Sequence, residues 1–170
     1  STTGEHIVKY ELYDETKVGN NAPLFAGITT LTSISIPNSV ITIGINAFNS
    51  CIGLTSLTIP DSVTTIGQAA FVNCSNLTDI IIGKGVTTIG SNAFDACNLV
   101  NIEFNSPTFR NEFFTGSNNN TRVTIRSVIL GNNVSTIANY AFEGCSGLTS
   151  IIIGNGVTTI GNNAFYECIG

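Results

Sequence analysis

The 170-residue chain has no methionine, no tryptophan and a single histidine, His6. One histidine rules out a multi-histidine metal centre and leaves a serine or cysteine nucleophile without its usual base over nearly the whole chain. The five cysteines never form C-x-x-C, which removes the paired-cysteine zinc site. Charge is scarce, at 10% of residues, and the 6 basic against 11 acidic side chains give −5 and a pI near 4.6. With no basic stripe, nucleic acid and anionic lipid surfaces are not expected partners. Long apolar runs are missing as well. Ile80-Ile81-Ile82 stops at Gly83-Lys84, far short of the ~20 residues a membrane helix needs, so no membrane insertion is expected within this chain. Neither G-x-S-x-G, H-E-x-x-H nor the phosphate loop G-x-x-x-x-G-K-[ST] occurs. The expectation is a protein that is not an enzyme, with no cofactor and no metal.

What the chain does have is a period. Phe48, Phe71, Phe94, Phe142 and Phe165 each stand three residues before a cysteine, at gaps of 23, 23, 48 and 23. A repeat of that size is one supersecondary unit copied along an axis, a solenoid. Stacked coils hide their flat faces against one another, which accounts for 42% hydrophobic residues and a mean hydropathy of +0.31.

The clearest copy runs from Leu54 to Cys74, and the other units begin at Leu31, Leu77, Leu99, Ile125 and Leu148. Leu57 and Ile59 alternate with Ser56 and Thr58, a strand with one face inward. Pro60, or Gly83, Gly131 and Gly154 at the same place, closes it with turn chemistry. Val63-Thr-Thr-Ile66 then predicts a second short extended piece, and Gly67 a bend. Ala70, Phe71 and Cys74 at i, i+1 and i+4 fit one turn of helix or 3₁₀ packed on the coil.

Written as L-x-x-I-x-I-P-x-x-V-x-x-I-G-x-x-A-F-x-x-C, the pattern recurs in Leu31–Cys51, Leu54–Cys74, Leu77–Cys97, Ile125–Cys145 and Leu148–Cys168. It resembles the leucine-rich repeats of the BspA-like family over most of the chain. The resemblance implies a mainly β leucine-rich-repeat solenoid: a parallel strand ladder, short second strands, and short helical or 3₁₀ turns. It also implies a cell-surface or secreted protein that adheres to or binds a protein partner, such as a host extracellular protein, and performs no reaction. A passive stalk presenting another domain is the alternative, and an intracellular scaffold a third.

Residues 1–26 lack the repeat and hold an uneven share of charge. Their alternation over Ile7–Tyr13 predicts a strand that caps the open apolar end of a repeat domain over residues 27–170. The unit at 99–124 is irregular. Leu99-Val-Asn-Ile102-Glu-Phe104 starts it, no Ala-Phe-x-x-Cys follows, Phe109, Phe113 and Phe114 are expected to fill the space, and Gly116–Thr121 reads as a polar surface loop. The chain opens at Ser1 and stops at Gly170 inside a repeat, so a piece of a longer protein and end-to-end self-association are expected. The cysteines, all at one repeat position, read as free buried thiols acting as small apolar plugs.

Candidate contact residues come from the outward strand positions. One is Ser33, Ser56, Asp79, Ser127 and Ser150; the other is Ser35, Thr58, Ile81, Glu103, Ile129 and Ile152. Isoleucines on a solvent face form an apolar ridge that often marks a contact surface, so the expected protein-binding surface is Asp79, Ile81, Glu103, Ile129, Ser150 and Ile152. Asp79 and Glu103 fall on neighbouring units, but a flat surface gives a carboxylate pair no means of excluding water, and hydrolysis is not expected of them. The N-x-[ST] matches at Asn73, Asn76, Asn119 and Asn133 read as chance in an asparagine-rich chain.

Overall fold

The computed structural model describes residues 17–18, 24–109 and 120–170, and statements of structure refer to these. In chain order the elements are β1 (Lys17–Val18), β2 (Thr42–Ile43), β3 (Ser56–Ile59), β4 (Thr65–Ile66), β5 (Asp79–Ile82), β6 (Thr88–Ile89), β7 (Asn101–Phe104), β8 (Thr108–Phe109), the short helix α1 (Asn120–Thr124), β9 (Ser127–Leu130), β10 (Thr136–Ile137), β11 (Ser150–Ile153) and β12 (Thr159–Ile160). They build a pile of coils, a parallel β-solenoid, as the period requires. Every strand pair is parallel because each circuit returns the chain to the same place running in the same direction.

The main ladder is β3-β5-β7-β9-β11. Its register places Ser56, Asp79, Asn101, Ser127 and Ser150 side by side. Alternation behaves as the sequence predicts: in β3 and β5, positions two and four are buried and positions one and three exposed. The Val-Thr-Thr-Ile pieces form the second ladder, shorter than the motif because only the Thr-Ile pair extends. It is split in two, β1-β2-β4-β6 and β8-β10-β12. The split falls at the irregular unit, where the buried Ser106 hydroxyl donates to the Val86 carbonyl.

One unit contributes no strand to the main ladder. Ser33–Ile36 lies beside β3 without pairing to it, and Pro60 removes one of the donors that pairing would use. In the later coils Gly83, Asn105, Gly131 and Gly154 each donate an N–H to the last strand carbonyl of the coil before, at 2.8–2.9 Å. Pro60 stands at that place and has no N–H for Ile36. Thr55 N–H to Thr32 O, at a long 3.5 Å, is what holds the two segments together there.

The corner carrying Ala-Phe-x-x-Cys was expected to be a helical or 3₁₀ turn. Its i→i−3 hydrogen bonds are of the 3₁₀ kind, as in Ala47 N–H to Gly44 O, Asn49 to Asn46 and Cys51 to Phe48. Continuous helix is prevented by a left-handed residue every fourth position: Asn46 and Ser50, Ala69 and Asn73, Asn92 and Ala96, Tyr140 and Gly144, Asn163 and Glu167. Each one flips the backbone, so the intervening amides point along the solenoid. Asn46, Phe48 and Ser50 N–H reach Gln68, Ala70 and Val72 carbonyls of the next coil. The corners thus form a third ladder, with the donor in the earlier coil. A non-glycine left-handed residue costs roughly 1–2 kcal/mol, and an inter-coil hydrogen bond of ~1 kcal/mol on each side offsets it.

Inside, Phe25, Phe48, Phe71 and Phe94 stack with centroids 5.0, 5.1 and 5.3 Å apart and rings within 6° of parallel. Phe142 stacks on Phe165 at 5.2 Å. The first member, Phe25, lies within the segment expected to be a cap; its distance of 23 residues from Phe48 is the signal that would have found it. Beside the rings runs a column of free cysteines. Four of the thiols donate to the carbonyl of a phenylalanine one coil back: Cys51 to Phe25, Cys74 to Phe48, Cys97 to Phe71 and Cys168 to Phe142, at 3.0–3.2 Å. Burial pushes the Cys51 thiol up to about 11 and that of Cys145 to about 12. Contact with the Cys74 thiol, and then burial, raises that of Cys97. As expected they are apolar plugs, with one hydrogen bond more than the expectation included.

In the irregular unit, Phe104 is buried and the Thr124 hydroxyl donates to Leu99 O at 2.7 Å. Asn120 and Thr121, read as the end of a polar loop, instead open α1. Gly116–Asn119 and the side chains of Phe109, Phe113 and Phe114 lie outside the described residues, as do His6 and the strand expected over Ile7–Tyr13. Lys17–Val18 pairs with β2. In the last coil the inward residues lose their cover: Ile160 is 54% exposed where Ile137, its neighbour in β10, is fully buried. No helix among the described residues is long and apolar enough to cross a membrane.

Candidate protein-binding face

The face begins with strand geometry. Consecutive side chains of a strand point to opposite sides; in β3, β5, β7 and β9 positions two and four are taken by the core, while in β11 Ile151 is half-buried and Ile153 is 39% exposed. Positions one and three therefore project outward in every coil, and the in-register pairing sets them in two straight rows. Neighbouring side chains in a row are one strand spacing, ~4.8 Å, apart. The first row is Ser56, Asp79, Asn101, Ser127 and Ser150; the second is Thr58, Ile81, Glu103, Ile129 and Ile152.

All six residues singled out from the sequence lie on this face. Asp79 and Ser150 belong to the first row, and Ile81, Glu103, Ile129 and Ile152 to the second. The isoleucines are 39%, 38% and 58% exposed, beside inward neighbours such as Ile80 and Ile82 that are essentially closed to solvent. Glu103 interrupts them, as its place in the sequence predicts, and is half-buried between Ile81 and Ile129.

The two carboxylates are held differently. Asp79 accepts from Thr78 Oγ1 at 2.6 Å on one oxygen and from Asn101 Nδ2 at 2.7 Å on the other. Glu103 accepts from Asn105 Nδ2 at 2.9 Å through Oε1. Asn101, Asn105 and Thr78 escaped the sequence reading. Asn101 was legible, standing 22 residues after Asp79 where the period calls for an outward residue. The grip of Asn105 on Glu103 depends on a side-chain rotamer, which no spacing encodes. Asp79 and Glu103 are diagonal neighbours, and among the described residues nothing is seen above them to exclude water.

An open groove of about 350 Å³ adjoins the rows where Ser33–Ile36 parts from β3. Ser33, Ser35, Asn38, Ser56, Thr58 and Pro60 line it, and no ionisable side chain does. Among the described residues no group of histidine, cysteine and carboxylate side chains is placed to hold a metal ion. Elsewhere on the surface Lys84 pairs with Asp61 of the preceding coil at 3.1 Å.

The chain matches the profile of the BspA type leucine rich repeat region in six copies, over residues 14–121 and 119–170. Among solved structures it resembles a leucine-rich repeat protein of T. pallidum, at 28% identity and a TM-score of 0.51, over 87% of this chain and 57% of that one. A leucine-rich cell surface protein of Faecalibacterium prausnitzii is similar at 30% identity and 0.56, over 72% and 32%. A leucine-rich repeat protein of Eubacterium ventriosum is similar at 25% identity and 0.62, over 91% and 46%. The chain thus spans between a third and a little over half of each of these proteins. No curated protein gives a significant match.

Proposed function

Because the chain belongs to the BspA-type leucine-rich repeat family, we propose that it is a non-enzymatic protein-binding module of a cell-surface or secreted protein, used in adhesion. Its partner is a protein, for example a host extracellular protein, and its contact surface is the outer face of the main ladder. The observation that supports this most is the second row: three half-exposed isoleucines in register across four coupled strands. A surface so braced is ordered before it meets a partner, so little entropy is lost on docking. Similarity to a leucine-rich cell surface protein favours the same location.

The test is capture of extracellular proteins by the immobilised chain, compared with the double variant Ile129→Lys and Ile152→Lys. Both positions face solvent, so the thermal unfolding midpoint should stay within a few degrees while capture falls at least tenfold. Unaltered capture would remove this face from consideration. A passive stalk is the competing reading, and the unmodified chain would then capture no protein or glycan at micromolar concentration.

A further inference from the structure

The charge on the outer face says what the partner must bring. The two rows hold ten side chains, of which two are acidic and none basic. Asp79 has both oxygens engaged by protein donors. Glu103 has one: Asn105 holds Oε1, and Oε2 makes no hydrogen bond among the described residues. Its surroundings sharpen the point. The side chain is half-buried with Ile81 on one side and Ile129 on the other, and Ile152 lies one strand further. An apolar neighbourhood weakens water's competition for a carboxylate, and a cationic hydrogen bond there is stronger than at a fully wet site.

Resting on the strand-face reading above, we infer that the partner presents an arginine or lysine set among aliphatic or aromatic side chains. The cation meets Glu103 Oε2 while its apolar neighbours cover Ile81, Ile129 and Ile152. Asp79, on the diagonal ~7–8 Å away, adds attraction at a distance rather than a direct bond. An acidic or uniformly polar partner would strand the Glu103 carboxylate under a dry contact, at a cost that disfavours it. Arginine is the better fit, since its planar fork takes a carboxylate oxygen while its stem covers isoleucine.

The probe is a peptide library displayed on phage and selected against the immobilised chain, with affinities of the enriched peptides measured at low and high salt. Enriched sequences should carry an arginine or lysine flanked by Leu, Ile, Phe or Tyr. Glu103→Gln keeps size and the contact with Asn105 and should weaken them about tenfold, with most of the salt dependence lost. Glu143→Gln, on a corner turn, should leave affinity unchanged. Enriched peptides without a basic residue, or no enrichment at all, would overturn the inference. If Ile129→Lys with Ile152→Lys abolishes binding while Glu103→Gln does not, the strand face stands and the cationic partner falls. Binding that survives both variants would sink the strand-face reading itself.

Discussion

Truncating the aromatic spine separates the energetics of an inner coil from those of an outer one. Phe71 is fully buried and stacked on both faces, 5.1 Å from Phe48 and 5.3 Å from Phe94. Phe71→Ala removes that burial, both ring contacts, and leaves a cavity that two rigid ladders cannot collapse. The expected loss is that of a buried aromatic, about 4 kcal/mol. Phe165 keeps one neighbour, Phe142 at 5.2 Å, and is only partly buried. With one side open, Phe165→Ala should cost about half as much, ~2 kcal/mol. Urea unfolding followed by circular dichroism measures both. The Phe71 variant should also broaden the transition, because stability in a solenoid is passed from coil to neighbouring coil and the break falls mid-chain. Equal losses for the two variants, or a loss below about 1 kcal/mol for Phe71→Ala, would refute the view that ring stacking couples the coils.

The raised thiols give a pH dependence. Folded Cys51 and Cys145, at about 11 and about 12, sit above an unfolded thiol at ~8.5. Their stabilisation is complete below the unfolded value and is lost as pH climbs through that window; urea midpoints should fall from pH ~9 upward, and Cys51→Val with Cys145→Val should flatten the fall. A β-carbon added at Gly85 would come within 2.1 Å of the Asp61 carbonyl of the coil before, so Gly85→Ala should cost about 1–3 kcal/mol in thermal or urea unfolding, and a neutral result would mean the coils slide apart more freely than the packing allows. Pro60→Ala supplies the missing donor to Ile36, and hydrogen exchange should find the new amide at position 60 protected; exchange at the rate of an open loop would show that something other than the absent N–H keeps Ser33–Ile36 unpaired.

Much of this molecule is legible in its residues because a period is a property of sequence alone. The 23-residue spacing of Phe and Cys, with Leu57 and Ile59 alternating against Ser56 and Thr58, sufficed for the solenoid, the main ladder, the aromatic spine and the outward rows. Residue type and position determine all of these once the chain repeats. The exposed isoleucines and the isolation of Glu103 among them followed from the same alternation.

Other features were decided only by coils meeting one another. Nothing in the identities of Ala69 or Tyr140 marks a left-handed backbone; there that conformation aims amides at the carbonyls of the adjacent coil, at Ser91 and Asn162, partners that exist only after stacking. Pro60 reads as a strand end, yet its larger consequence is for Ile36, on another coil, which it deprives of a donor. The grip on Asp79 and Glu103 comes from Thr78, Asn101 and Asn105 through side-chain geometry. Periodicity says which residues recur, and hydrogen bonds between recurrences settle how the backbone must turn to satisfy them.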